Sequence, residues 1–258
     1  MGEAATNAPR VGLFVTCLVD FFRPEVGFAT VNLLESAGCH VDVPEAQTCC
    51  GQPAYNSGDL DDTRAIARQV IETFSAYDYV VVPSGSCAGQ LHKYPELFAE
   101  DDDWHRRARD LVGRTWELLS FLTDVLAIDP PETPARGCFT YHDSCSGLRQ
   151  LGIHGQPRQL LAGSPDIELR EMDDSTVCCG FGGTFCVKYP EISERMVDEK
   201  IRNITATGAD TLLGGDLGCL MNIAGRLQRQ GKPVAVRHAA EVLAGQLDTP
   251  PIGARETD

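Results

Sequence analysis

The sequence predicts an α/β protein made of two pseudo-symmetric halves, each carrying an open, mostly parallel sheet. Three observations lead there. The tripeptide Cys-Cys-Gly occurs twice, at Cys49-Cys50-Gly51 and Cys178-Cys179-Gly180. Each pair has a lone cysteine upstream, Cys17 at 32 residues and Cys145 at 33, and another downstream, Cys87 at 37 and Cys219 at 40. Short β-rich apolar runs end at the first and last cysteine of each set, with helical patterns between them, the alternation that builds βαβ units.

Taken in order, residues 11–17 and 79–87 supply apolar runs in the first half, and 137–145 and 211–219 supply their counterparts. Runs of this length fit buried parallel strands. Residues 24–37 read as a helix, with Pro24 near its start and Gly38 just past its end. Residues 60–74 read as another, entered through Asp59, Asp61 and Asp62 and carrying Ile66, Val70 and Phe74 on one face. The matching helix of the second half is 192–206, with Met196 and Ile201. Asp129-Pro-Pro-Glu-Thr-Pro134 suits neither helix nor central strand and divides the chain into domains over 10–129 and 135–245. Just before it, 115–128 reads as an apolar helix (Trp116, Leu119, Leu122, Val125, Leu126) packed between or across the halves. The first nine residues and the tail after Gln246 are expected to be unstructured.

Composition narrows the function. Of 258 residues, 43% are hydrophobic and 23% charged, which is globular chemistry, and a net charge of −15 argues against a nucleic-acid partner. The longest apolar run, residues 11–19, falls far short of the ~20 residues of a membrane helix. The N-terminus lacks a basic-then-apolar leader, so a soluble, cytoplasmic protein with no direct membrane insertion is expected. The acidic stretch Glu100-Asp-Asp-Asp103 and the net charge point to assembly with a less acidic protein. Eleven cysteines in such a chain mean metal, cluster or redox chemistry. No Cys-x-x-Cys occurs, which argues against a zinc ribbon, a bacterial ferredoxin run and a thioredoxin-type dithiol. The segment Gly180-Phe-Gly-Gly-Thr-Phe185 is not the dinucleotide fingerprint, since its third glycine is missing.

In an open α/β sheet, ligands gather at the carboxyl ends of the strands. The first and last cysteines of each set should therefore meet at one rim. Neighbouring side chains on a regular strand point to opposite faces, so each adjacent pair needs a tight turn, which Gly51 or Gly180 permits. Gly182 and Gly183 would let backbone N–H groups approach the sulfurs. The two ligand sets are Cys17, Cys49, Cys50 and Cys87, then Cys145, Cys178, Cys179 and Cys219. Four thiolates suit an iron–sulfur cluster or tetrahedral zinc, and the adjacent pair favours a cluster because neighbouring thiolates readily serve different irons. Cys39, Cys138 and Cys186 read as ordinary buried cysteines, with an extra ligand or redox thiol as the alternative for Cys186. His142 and Asp143 precede Cys145 where the first half has Phe14 and Val15, which makes them the candidate catalytic residues, for tuning the site or handling protons. A histidine satisfied by a backbone carbonyl is the alternative. On this asymmetry the second half is expected to be chemically active and the first to relay electrons or stabilise. Ser84 and Asp216 stand three residues before the last cysteines, as loop caps or as oxygens near a metal.

The two Cys…Cys-Cys-Gly…Cys blocks resemble the cysteine-rich CCG domains of the heterodisulfide reductase B subunit and of the iron–sulfur subunits of anaerobic glycerol-3-phosphate dehydrogenase and glycolate oxidase. Longer stretches are most similar to the lactate utilization protein A family: Phe21-Phe-Arg-Pro-Glu-Val-Gly-Phe-Ala29, Pro44-Glu-Ala-Gln-Thr-Cys-Cys-Gly-Gln-Pro-Ala-Tyr-Asn56, Tyr141-His-Asp-Ser-Cys-Ser-Gly-Leu148 and Cys178-Cys-Gly-Phe-Gly-Gly-Thr-Phe185. The resemblance implies two Rossmann-like halves, iron–sulfur clusters of the [4Fe–4S] kind, one per half, on those eight cysteines, and a part in oxidising L-lactate or a related 2-hydroxy acid to pyruvate. It also implies companion lactate-utilization proteins, one of them a ferredoxin-type iron–sulfur protein. The heterodisulfide reductase pattern ends in Cys-x-x-Cys, and here Ser84 and Asp216 replace the first cysteine of each last pair. A four-cysteine [4Fe–4S] cluster, or zinc in one half, is therefore expected in place of the disulfide-cleaving type. An oxidoreductase subunit that works only with its partners is the leading reading. A cluster-dependent thiol–disulfide oxidoreductase and a zinc-stabilised scaffold are the alternatives.

Overall fold

The computed structural model describes residues 8–100 and 102–254. The first half runs β1 (Arg10–Leu13), α1 (Cys17–Phe22), α2 (Pro24–Ser36), β2 (His40–Asp42), α3 (Gln52–Asn56), α4 (Leu60–Thr73), β3 (Tyr79–Val82), α5 (Gly85–Leu91), α6 (Asp103–Val112), β4 (Thr115–Glu117) and α7 (Leu118–Ser120). The second runs β5 (Gly137–His142), α8 (Cys145–Leu151), α9 (Gly155–Leu161), β6 (Ile167–Leu169), α10 (Phe185–Lys188), α11 (Pro190–Ala206), β7 (Thr211–Gly214), α12 (Leu217–Arg229), β8 (Ala235–His238) and α13 (Ala239–Leu243). The sheets order as β2-β1-β3-β4 and β6-β5-β7-β8, and every pairing is parallel. These are the two parallel-sheet halves that the repeat predicts, in the Rossmann-like form that the resemblance implies, with each strand of the first half matched in order by one of the second.

The halves pack by the same symmetry. Helix α5 lies on α8 and α1 on α12, while α2 lies on α13 and α7 on α9. Each contact is the image of another under exchange of halves. One buried apolar core joins them, running from Val11, Val81 and Leu122 to Tyr141, Leu213 and Val242. Burial of this kind across the seam provides the main adhesion. A largely buried ion pair adds to it, with the Arg23 guanidinium donating to the Glu241 carboxylate at 2.6 Å and to Thr249 Oγ1 at 3.1 Å.

Two expectations are corrected. Residues 115–128 are not a single helix: Thr115–Glu117 pairs with Val80–Val82 as the edge strand β4, and Phe121–Val125 is a π-helical turn after α7. The apolar spacing suits either reading, but the Glu117 carboxylate takes the N–H groups of Leu119 (2.9 Å) and Ser120 (3.2 Å) and so starts the helix there. The segment does pack across the halves, as expected. The described part of the tail is also ordered. Ile252 N donates to Val236 O at 2.8 Å, and Arg237 donates to the carbonyls of Leu247 and Thr249, so the chain runs back along the edge strand β8. Residues 1–7 and 255–258 of the predicted loose ends, and Asp101 of the acidic stretch, lie outside the described residues. Asp102 caps α6 through Trp104 N at 2.8 Å, so part of that stretch serves a helix start.

Glu117 carries a pH-dependent prediction. Burial, its largest influence, pushes the carboxyl up to about 8 from an ordinary 4.5, and Asp216 and Asp124 nearby push the same way. Between those values the folded chain holds a proton that the unfolded chain does not, so this contribution to stability is complete below the lower value and is lost as pH rises through the higher. Glu117→Gln keeps the cap acceptor and removes the titration. Its melting temperature should match the parent's near pH 4 and exceed it by a growing margin from there to pH 9. A difference that stays constant between the two would exclude Glu117 as the titrating group.

Candidate metal centres

All four flanking cysteines arrive where a strand ends and a helix begins. Cys17 opens α1 after Thr16, whose Oγ1 accepts from Val19 N, and Cys87 lies in the first turn of α5 after Ser84, whose Oγ accepts from Cys87 N. Cys145 opens α8 after Ser144, and Cys219 lies in the first turn of α12 after Asp216. Backbone N–H groups at such positions favour a negative sulfur. The adjacent pairs sit in the turns the sequence demanded, with Gly51 at φ +79° and Gly180 at φ +82°. Tyr94 Oη donates to Cys50 O at 3.0 Å, and Asn222 Nδ2 donates to Cys179 O at 2.9 Å, so each half pins the same carbonyl with a different side chain. Gly180 N donates to Cys178 Sγ at 3.4 Å.

These turns bring the thiols together. In the first half, Cys17 and Cys49 have their Sγ atoms 4.0 Å apart, and Cys50 and Cys87 are at 3.4 Å. In the second, Cys179 and Cys219 converge with His142, their donor atoms lying within 4.8 Å of one another. Thiol donation from Cys17 and then Cys50 draws Cys49 down to about 3, and donation from Cys145 and then Cys179 draws Cys178 down to about 2. Their donors are pushed up by the same hydrogen bonds. Within each set one sulfur is thus the easiest to ionise, and metal binding would release the protons of its neighbours. Soft, convergent sulfur donors of this kind suit a metal cluster.

The remaining candidates sort by geometry. Cys39 and Cys138 are buried apart from both sets, and Cys186 bonds locally to Gly183 O at 3.4 Å. Burial drives His142 down to about 3, so it is neutral near pH 7 in the metal-free chain, unlike the near-neutral proton carrier that its sequence position suggests. Asp143 spends both carboxylate oxygens on Arg158, at 2.8 and 2.9 Å. Asp216 crosses the seam instead of capping its own helix: its Oδ2 accepts from Ser86 N at 2.8 Å and from Ser84 Oγ at 3.2 Å. Sequence reasoning missed Lys200. It is fully buried, donating to the carbonyls of Asp174 and Ser175 at 3.0 and 2.9 Å, and its charge acts on Cys178, Cys179 and Asp143. Its signal was a lysine on the apolar stripe of Val197, Ile201 and Ile204.

Access differs around the first set. A groove of about 460 Å³ and a cavity of about 260 Å³ both reach Cys17 and Cys49. The cavity is walled partly by Phe181, Thr184 and Leu217 of the second half.

Comparison with known proteins settles the family. A model of the CCG cysteine-rich domain matches residues 11–92 and again 139–224. Lactate utilization protein A of Halalkalibacterium halodurans is 52% identical over 240 residues, covering 93% of this chain and 98% of that protein. The chain belongs to the lactate utilization protein A family. The family member from Geobacillus sp. strain WCH70 is 51% identical over 91% of this chain and 98% of its own length. Among solved structures, a hypothetical protein from Helicobacter pylori superposes with TM-score 0.64 at 11% identity, covering 94% of this chain and 50% of that one, a likeness of fold alone. The repeated domain match coincides with the two thiol clusters, so the family's cysteine-rich blocks are the segments that build them.

The two turns differ in tolerance. A Cβ on Gly180 would meet Ser193 O at 2.7 Å, whereas one on Gly51 would meet only Ile66 Cγ2 at 3.3 Å. Both substitutions carry the left-handed cost of ~1–2 kcal/mol, and Gly180→Ala adds a collision with backbone. Thermal unfolding should show Gly180→Ala the more destabilised of the two. The reverse order would mean that the turns are not held as described.

Proposed function

We propose that this protein is an iron–sulfur redox subunit of a multiprotein system that oxidises L-lactate, or a related 2-hydroxy acid, to pyruvate. The overall change releases two electrons and two protons per lactate, and the electrons pass to a partner. The observation that carries this reading is the pair of convergent four-cysteine sets in a chain about half identical to proteins named for lactate utilization. Cys17, Cys49, Cys50 and Cys87 would hold one group, and Cys145, Cys178, Cys179 and Cys219 the other. Bound there, an iron–sulfur cluster supplies one-electron transfer. The chain's own residues hold and tune it: helix N-termini and the Gly180 N–H favour negative sulfur, and buried Lys200 offsets charge in the second half. Companion lactate-utilization proteins, including a ferredoxin-type one, would complete the system by removing hydride equivalents and accepting electrons.

The test is strictly anaerobic purification followed by iron, acid-labile sulfide and zinc analysis. Iron and sulfide in both halves are expected. Colourless protein holding only zinc would replace the redox reading with a scaffold. Turnover of a small disulfide by the isolated protein would favour a thiol–disulfide oxidoreductase.

A further inference from the structure

His142 ends β5 with 1% of its surface exposed, and neither ring nitrogen has a hydrogen-bond partner among the described residues. An imidazole buried with both nitrogens orphaned is costly unless something satisfies it. A ring nitrogen and the Sγ atoms of Cys179 and Cys219 lie within 4.8 Å of one another, the spacing of donors that face a common metal atom or small cluster. The equivalent place in the first half is taken by Phe14, fully buried with its ring tilted against Phe74 at 5.5 Å between centroids. The nitrogen donor therefore exists in one half only.

We propose that His142 is a direct nitrogen ligand of the second-half centre, beside Cys145, Cys178, Cys179 and Cys219. The two halves then hold unlike centres, all-sulfur in the first and mixed sulfur and nitrogen in the second. This rests on the metal-binding reading above. Ligation satisfies one orphaned nitrogen. An uncharged nitrogen donor raises reduction potential relative to thiolate, as histidine does in the two-iron clusters that carry it. The second centre is therefore the one reduced first. Phe14 offers the first centre no such donor.

The experiment compares the parent with His142→Phe, which installs the first half's residue. Both are purified anaerobically with and without ¹⁵N-histidine, analysed for iron, sulfide and zinc, reduced and examined by pulsed electron paramagnetic resonance. The parent should show a nitrogen hyperfine coupling that changes with the histidine isotope and is absent from His142→Phe. An iron-loaded parent without an isotope-sensitive coupling overturns the ligand assignment and leaves the proposed function standing. The labelled parent decides this even if the variant folds poorly. If the protein carries zinc alone, the proposed function fails and X-ray absorption decides the ligand separately. A nitrogen scatterer lost in His142→Phe upholds His142, and an all-sulfur shell overturns it.

Discussion

Cys50→Ser and Cys179→Ser are each expected to empty the centre in their own half, removing about half of the bound iron and sulfide, since each set supplies the donors of one site. Both side chains are only 2% exposed, and each sits at the convergence of its set. Cys50 Sγ lies 3.4 Å from Cys87, and Cys179 faces Cys219 and His142. The carbonyls of both residues are pinned, by Tyr94 and Asn222, so the turn cannot swing another donor into place. Serine offers a hard, poorly ionised oxygen where a soft thiolate is required. Cys39→Ser and Cys138→Ser bury an equally polar hydroxyl away from both sets, and they should cost ~1–2 kcal/mol of stability while leaving metal content unchanged. The double variant Cys50→Ser/Cys179→Ser should bind almost none. Iron analysis of anaerobic protein decides the matter. Equal losses across all four single variants would mean that the repeat does not mark the ligands.

Much of this architecture was legible because two independent periodicities agree. The cysteine spacing fixes where strands must end, and the apolar runs fix where they lie, so the parallel sheets and their common rim follow from residues 11–17, 79–87, 137–145 and 211–219. The adjacent-pair argument also held, since Gly51 and Gly180 take the left-handed angles a turn requires. Three features escaped for physical reasons. The apolar positions of 115–128 satisfy a helix stripe, yet they serve an edge strand and two short helical turns, because buried neighbours on both sides erase the distinction between periods. Asp216 looked like a cap for its own loop. Its actual partner is the amide of Ser86 across the seam, a contact 130 residues distant that no local pattern encodes. Lys200 was visible as a charge on an apolar stripe, but only the fold shows which sulfurs its charge acts on.

Arg158→Met is expected to cost ~3–5 kcal/mol, equivalent to a fall of roughly 6–20 °C in melting temperature for a chain of this size. The reason is the charge left behind. Asp143 has a side chain 1% exposed and gives both oxygens to Arg158, while the ring of half-exposed His154 stands 4.0 Å away. Arg158 is itself oriented by Glu171 at 2.8 Å and lies over the Tyr141 ring at 5.3 Å, so methionine restores its packing but none of its charge. An unpaired carboxylate at that depth must be protonated or hydrated, and either change loosens the turn between β5 and α8, where Cys145 begins its helix. The double variant Arg158→Met/Asp143→Asn should recover most of the loss, because a neutral amide is far cheaper to bury than a lone carboxylate. Glu171→Gln, which relaxes only the exposed arm of the same arginine, should cost less than ~1 kcal/mol. If Arg158→Met melts no lower than Glu171→Gln, the Asp143 pair does not hold this turn, and Asp143 becomes free to act on whatever binds at Cys145.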